Sequence, residues 1–202
     1  LLVRHGASMG ETIETVQLGP LTITNPPLSP EGHAQAAALA EALKSEPIAH
    51  IFISPLQRTH QTAAPLVEAT GLRPVMIEDL REVHMGDWEH TFYGHARSGH
   101  PLLQQSFVQE TWSVIPNAED PERFAARLRG AIGEIIEATH PGETSVAFSH
   151  AAVIADICRQ ATGSKPFAFL APENTSVTRL VVDAAGNWRL RNFNDVSHLG
   201  YH

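Results

Sequence analysis

LLVRHG, residues 1–6, is the stretch that decides the fold, because an apolar run leads here directly into Arg4, His5 and Gly6. A short apolar run that ends in polar residues is typical of a strand buried in a parallel sheet. The carboxyl ends of such strands are where open α/β sheets gather their ligands. We therefore expect Arg4 and His5 to face a binding crevice.

Two more junctions of this kind follow along the chain. The apolar run at 48–53 leads through Ser-Pro into a helix that carries Arg58. The run at 144–148 leads into Ser-His, which places His150 at the start of an apolar helix. Because the carboxyl ends of parallel strands meet at one edge of a sheet, we expect Arg58 and His150 to lie near His5.

The rest of the chain alternates helices and strands. Ser29-Pro30-Glu31 combines a cap residue, a first-turn proline and an early acid, which predicts the start of a helix. The predicted elements are strands at 1–3, 48–53, 74–77, 144–148, 177–182 and 188–193, the last two forming a hairpin, and helices from 29, through 57–67, at 121–139 and at 151–161. This alternation predicts an α/β sheet, mainly parallel, with helices on both faces.

The chain length of 202 residues predicts a single domain covering 1–202. Two segments lack a clear pattern. We expect Thr12 to Pro27 to be an irregular loop. The region 90–120, rich in His and Pro, is interpreted as an inserted lid.

Composition narrows the classes of partner. The formal net charge is −8, and no Lys or Arg block tracks a nucleic-acid backbone. No apolar run reaches membrane-spanning length, so neither nucleic acid nor membrane is an expected partner. Cys158 is the only cysteine, which fits a cytoplasmic location. The sequence starts at Leu1 without Met, which leaves upstream residues open, including a removed signal.

The Arg and His residues at the predicted strand ends suit phosphoryl transfer. That reaction needs a nucleophile, donors for the equatorial oxygens and an acid for the leaving oxygen. The neutral imidazole of His5 is the candidate nucleophile, provided that its other ring nitrogen donates to a fixed acceptor such as a backbone carbonyl. Arg4, Arg58 and a protonated His150 would bind the phosphate oxygens. Gly6 would let the substrate approach closely.

Two further features complete the predicted site. The helix that starts at Ala151 brings free amides and its positive dipole end toward an anion. Glu82 is the candidate proton donor if burial raises its pKa, with Glu78, Asp79 and Asp87 as local rivals. No HExxH pattern or Cys pairing at ligand spacing is present, so we expect neither a metal nor a cofactor.

Five strings occur in a fixed order along the chain: LLVRHG, NPPLSPEGHAQAAALAEAL, SPLQRTHQTA, LREVHMGDWE and AFSHAAVI. This ordered set resembles the histidine phosphatase, or phosphoglycerate mutase-like, superfamily. The resemblance implies a three-layer α/β/α sandwich and a phosphohistidine intermediate on His5. It also implies phosphate binding by Arg4, Arg58 and His150, with Glu82 as the proton donor.

The likeness has one further match and two departures. Ser8 matches a position that is usually Ser or Thr in the family. Glu11 stands where an Asn commonly helps to bind phosphate, and Ala151 replaces a common Gly. A carboxylate at Glu11 would repel a phosphate dianion unless it turns away.

The leading function is metal-independent hydrolysis of the phosphate monoester of a small metabolite. Two alternatives stay open. A cofactor-dependent phosphoglycerate mutase would use the same phosphohistidine, although the segment after Gly6 lacks the Ser-x-Trp-Asn continuation associated with such mutases. A weakly active protein that binds a phosphorylated ligand is the third reading, and Glu11 is its best support. The sequence sets neither the natural substrate nor the oligomeric state, a homodimer included.

Overall fold

A computed structural model describes residues 1–10 and 14–200 of the chain. Its strands are β1 (Leu2–Arg4), β2 (Thr15–Leu18), β3 (Leu21–Thr24), β4 (Ile48–Ile53), β5 (Pro74–Met76), β6 (Thr144–Ser149), β7 (Val177–Val182) and β8 (Trp188–Asp195). Its helices are α1 (Pro30–Leu43), α2 (Gln57–Thr70), α3 (Phe92–Ser98), α4 (Pro101–Gln109), α5 (Pro121–Ala138) and α6 (Ala151–Thr162).

The central sheet has six strands in the order β5-β4-β6-β1-β7-β8. The four strands β5, β4, β6 and β1 run parallel, and β7 and β8 add an antiparallel edge. Arg4 at the end of β1 lies beside Ser149 at the end of β6. The predicted mainly parallel sheet is therefore confirmed, and the carboxyl ends of β1 and β6 meet at one edge.

Apolar residues of the central strands alternate between two cores. Leu2 and Ala147 face the layer that contains α5 and α6. Val3 and Phe148, their immediate neighbours, face the layer that contains α1 and α2. Since successive side chains of a strand point to opposite faces, each central strand contributes side chains to both apolar cores. This arrangement is the expected three-layer α/β/α sandwich.

Two segments contain more regular secondary structure than their sequence patterns predicted. The stretch from Thr12 to Pro27, expected to be an irregular loop, contains the β2-β3 hairpin, while Thr12 itself lies outside the described residues. The region 90–120 contains α3 and α4. Both helices have regular ends: α3 stops at Gly99 in the left-handed conformation, and α4 starts at Pro101 with the His100 side chain as its cap.

The other predicted elements are present, with ends that differ by at most three residues. The helix expected after Ser54-Pro55 begins at Gln57, and a one-turn 3₁₀ helix covers the expected acidic turn, Glu78–Leu80. Within the described ranges, no helix is long and apolar enough to cross a bilayer.

Candidate active site

A cavity of about 410 Å³ is bounded by several of the predicted site residues. The members that line it are Arg4, His5, Ser8, Arg58, Glu82 and Ala151. They come from the ends of β1 and its loop, the first turns of α2 and α6, and the loop after β5. Widely separated parts of the chain therefore converge on one concave surface.

His5 is buried at the cavity and its ring is fixed by a backbone acceptor. Its Nδ1 lies 2.7 Å from the carbonyl oxygen of Gly6. A carbonyl can only accept, so Nδ1 carries the proton and Nε2 keeps its lone pair. Burial lowers the pKa of His5 well below its ordinary value, and the charges of Arg58 and Arg4 lower it further. The ring is thus neutral, with its proton on Nδ1 and a lone pair on Nε2.

His150 lies behind His5, with the two ring centroids 5.2 Å apart. Its side chain is fully buried, and its Nε2 is 2.7 Å from the hydroxyl oxygen of Ser54. Its Nδ1 is buried and has no hydrogen-bond partner among the residues that the structure describes. A buried polar atom without a partner is uncommon, and it is the kind of group that a bound ligand satisfies.

The predicted protonated state of His150 belongs to a site that holds phosphate, and it stays a prediction. Burial holds the pKa of His150 well below its ordinary value, and Arg58 is the next cause. Taking a cation into this interior costs too much without an anion beside it. The ring is neutral in the empty site.

Arg4 and Arg58 supply the positive charge. The Arg4 guanidinium donates to the carbonyl of Pro172 at 2.5 Å, and its buried Nε has no partner within the described part of the chain. Arg58 is 7% exposed and donates to the carbonyl of Thr24 at 3.4 Å. Burial lowers the pKa of both guanidinium groups, which nevertheless keep their charge at neutral pH.

Neither guanidinium forms an ion pair with a carboxylate among the residues that the structure describes. Apart from the N–H groups that bind the Pro172 and Thr24 carbonyls, their donors can serve an anion in the cavity. Across the same part of the chain, no three His, Cys, Asp or Glu side chains gather closely enough to hold a metal ion. The groups present suit an oxyanion.

Glu82 lies between these cations and the start of α6. Its carboxylate accepts from the amides of Val83 at 3.0 Å and Ala152 at 3.3 Å. Burial raises the pKa of Glu82, although the two amides and Arg58 pull in the opposite direction. A carboxyl group that keeps its proton to higher pH than usual is suited to donate it.

The three rival acids lie elsewhere. Glu78 is exposed, Asp79 pairs with Arg81 at 2.7 Å, and Asp87 accepts from the side-chain amide of Asn117 at 2.8 Å. None of the three lines the cavity. Glu82 is the predicted acid that the fold brings to the cavity.

Gly6 is needed for a reason that differs from the expected one. A Cβ at Gly6 would lie 2.6 Å from the carbonyl oxygen of Gly32 in α1, and the Gly6 amide donates to the hydroxyl of Thr62. The close approach that the structure shows at this position is that of α1, while the approach of a substrate to Gly6 stays a prediction. Ser8 and Ala151 line the cavity as expected, whereas Glu11 lies outside the described residues.

Arg127 on α5, which the sequence reading missed, fixes the backbone that carries Glu82. It donates to the carbonyls of Arg81 and Glu82 at 2.9 and 3.1 Å and to that of Asp79. It also binds both carboxylate oxygens of Glu119, at 2.7 and 2.8 Å. Only the three-dimensional fold brings these residues together, so no local sequence signal could have found the network.

Glu89 lines the cavity, and it is the second functional residue that the sequence pattern did not single out. Its two carboxylate oxygens accept from the amides of Thr24 and Met85, each at 2.9 Å. The carboxylate therefore joins the β2-β3 hairpin to the loop after Glu82. Its position in the GDWE string was the available signal.

Comparison with known proteins gives one family and several similar structures. A model of the histidine phosphatase superfamily (branch 1) matches residues 1–196. Phosphoglycerate mutase-like protein 4 of Arabidopsis thaliana is 30% identical over 205 positions, which cover 98% of this chain and 86% of that protein. YhfR of Bacillus stearothermophilus superposes with a TM-score of 0.80 at 26% identity, covering 98% of this chain and 97% of the other.

A mycobacterial glucosyl-3-phosphoglycerate phosphatase in complex with inorganic phosphate superposes with a TM-score of 0.77 at 26% identity, and the match covers 98% of this chain and 97% of that one. The likeness therefore extends over essentially the whole chain. The similar proteins carry both phosphatase and mutase names.

Proposed function

This chain belongs to the histidine phosphatase superfamily, and we propose that it is a metal-independent phosphatase that hydrolyses small phosphate monoesters through a phosphohistidine on His5. The observation that carries the proposal is the state of the His5 ring. Its Nδ1 is held by the Gly6 carbonyl, which leaves the Nε2 lone pair beside a cavity that Arg4 and Arg58 also line. The phosphatase names among the similar structures agree with this choice.

In the first step, Nε2 of His5 attacks phosphorus and the bond from phosphorus to the ester oxygen breaks. Arg4 and Arg58 hold the equatorial oxygens by charge-assisted hydrogen bonds, which are strong in a water-poor site. Glu82 gives its proton to the departing oxygen, so the alcohol leaves neutral. Arg4 and Arg58 supply positive charge at the phosphate, the task that a divalent ion performs in other phosphatases.

His150 responds to the arriving anion. A phosphate dianion nearby raises the pKa of His150 and offers an acceptor to its unpartnered Nδ1. In the second step, water attacks the phosphohistidine, ionised Glu82 takes the proton of that water, and inorganic phosphate leaves. His5 and Glu82 then return to their starting states.

The test is turnover of p-nitrophenyl phosphate in the presence of a chelator. We expect wild-type activity to persist with EDTA and to disappear in His5→Ala. A variant of the exposed His60, His60→Ala, is the matched control and should retain the wild-type rate. Loss of activity with EDTA that added metal restores, or wild-type turnover by His5→Ala, would refute the mechanism.

A mutase is the second candidate, because a relative of 30% identity carries a mutase-like name. The two functions share the phosphohistidine and differ in the acceptor, which is water for a phosphatase and a bound hydroxyl for a mutase. Incubation with 3-phosphoglycerate and catalytic 2,3-bisphosphoglycerate separates them. Free phosphate would support the phosphatase, whereas 2-phosphoglycerate without free phosphate would establish the mutase.

A further inference from the structure

One part of the lining of the active-site cavity is apolar and largely aromatic. It is formed by side chains of the region 90–120 together with the loop after Glu82. The aromatic and aliphatic members used in this argument are Met85, Phe92, Tyr93, Leu103, Phe107 and Trp112. The lining thus combines two guanidinium groups, those of Arg4 and Arg58 (the cationic floor), with this apolar set of side chains (the wall).

The aromatic rings of this wall form a continuous group. The ring centroids of Phe92 and Trp112 are 5.9 Å apart, and those of Phe107 and Trp112 are 6.2 Å apart, both in edge-to-face contact. Tyr93 and Phe107 are 54% and 52% exposed. Aromatic surface left open beside a cavity favours a ligand that covers it with apolar groups.

The charges in the cavity also favour a substrate whose alcohol part is uncharged. Among the described residues that line it, Arg4 and Arg58 are the Arg or Lys side chains, and both are needed for the phosphate. The acids are Glu82 and Glu89. Among these described lining residues, a substrate with a second anionic group would find no further guanidinium or ammonium group to pair with it, and the two carboxylates would repel it.

We propose, resting on the proposed phosphatase function, that the alcohol part of the substrate is uncharged and apolar, and that it packs against the Phe92, Phe107 and Trp112 wall. The phosphate group would sit on the cationic floor at Nε2 of His5. Phosphorylated hydroxy acids, including phosphoglycerates, fit this cavity poorly because their carboxylate has no cationic partner.

Three alkyl phosphates with leaving oxygens of similar basicity test this inference. Benzyl phosphate carries the apolar ring, glycerol 3-phosphate is small and neutral beyond its phosphate, and 3-phosphoglycerate adds a carboxylate. We expect kcat/KM for benzyl phosphate to exceed that for either other substrate at least about tenfold, since apolar contacts in a pocket discriminate on that scale.

Two variants on α4 locate the preference. Phe107→Ala should lower kcat/KM for benzyl phosphate roughly fivefold and leave that for glycerol 3-phosphate within about twofold, because only the ring uses the wall. Val108→Ala is the control, since Val108 is 84% exposed on the same helix and does not line the cavity.

A preference of the wild type for 3-phosphoglycerate over benzyl phosphate would overturn the inference while the phosphatase function stands. An equal loss with both neutral substrates in Phe107→Ala would also overturn it, because the ring would then support the fold rather than the substrate. If no monoester, p-nitrophenyl phosphate included, is hydrolysed, the proposed function fails and the inference falls with it.

Discussion

At the scale of single residues, burial shifts the pKa values of the two groups that the proposed mechanism uses in opposite directions. Burial and two guanidinium groups keep His5 neutral, while burial keeps the proton on Glu82 to higher pH than usual. Both shifts favour the protonation states that the proposed first step requires. A nucleophile that had to lose a proton, or an acid that had already lost one, would slow the first step.

Glu82→Gln tests the acid. In a single turnover of benzyl phosphate, we expect a loss of about 10²- to 10⁴-fold, the usual contribution of a general acid. The loss should be much smaller for p-nitrophenyl phosphate, whose leaving oxygen departs without a proton. Glu78→Gln, on an exposed acid four residues earlier, should change neither rate.

The pH profile gives the same test a second readout. Wild-type activity should fall as pH rises through the raised pKa of Glu82, because the donor ionises. Glu82→Gln cannot ionise, so its slow reaction should lack that decline. An identical decline in both proteins would assign it to another group.

At the scale of secondary-structure elements, α1 is seated by a backbone contact with the loop after His5. A Cβ on Gly32 would lie 2.0 Å from the carbonyl oxygen of Ala7, a distance that only a shift of backbone could relieve. We expect Gly32→Ala to lower the free energy of unfolding by more than about 2 kcal/mol, as overpacking against backbone does.

Gly130→Ala is the matched change, because Gly130 lies inside α5 and a Cβ there meets nothing within 4 Å. It should raise the free energy of unfolding by up to about 1 kcal/mol, since alanine is the better helix former. Chemical denaturation of the two variants checks both signs. Equal effects would mean that the contact at Gly32 does not matter.

A second element-scale prediction concerns Arg127, which ties α5 to the loop that carries Glu82. Arg127→Met leaves Glu119, whose side chain is 12% exposed, with the His84 amide and the more distant Arg81 as its remaining partners among the described residues, so we expect a loss of about 1–3 kcal/mol in the free energy of unfolding. Arg129→Met, on the same helix, removes only an exposed hydrogen bond and should stay within about 0.5 kcal/mol. Similar losses in the two would contradict the assigned role.

The elements that the sequence predicted well are those whose apolar pattern is set by burial. The strands β1, β4 and β6 and the helix α5 are continuous or periodic apolar runs. Helix α3 buries no residue and α4 buries only Ser106, so neither shows that periodicity. The hairpin at Thr15–Thr24 is held partly by Glu89, a contact that local pattern does not encode.

Some features of the site could likewise be predicted from local sequence, and others depend on the fold. Arg4, His5, Arg58 and Glu82 follow from strand ends and ordered motifs, and the fold brings them to one cavity. The neutral state of His150 depends on burial from every side, and the network of Arg127 depends on residues far apart in the chain. Such features arise from tertiary packing and cannot be read from spacing.

At the scale of the whole molecule, the buried imidazoles of His5 and His150 link stability to pH. In the unfolded chain both titrate near 6.5, whereas in the folded protein both pKa values are lower. Below pH 6.5 the unfolded chain therefore binds more protons, and the free energy of unfolding should fall as pH falls. Glu82 acts oppositely at lower pH, because its folded pKa is raised above 4.5.

His150→Asn should reduce this pH dependence. The difference in the free energy of unfolding between pH 7.5 and pH 5.5 should be smaller than in the wild type, because one buried imidazole is gone. His60→Asn, on the exposed face of α2, should leave the difference unchanged. A wild-type slope in His150→Asn would mean that His150 takes up protons equally in the folded and unfolded states.

The most direct test of the central claim is to locate the phosphoryl group on the enzyme during turnover. Enzyme mixed briefly with substrate, quenched in alkali and digested, is mapped by mass spectrometry and treated with acid. The phosphohistidine mechanism predicts a phosphate on the His5 imidazole that survives alkali and is released by acid. It predicts no such phosphate in His5→Ala. A phosphate on another residue, or none on an enzyme that is turning over, would contradict it.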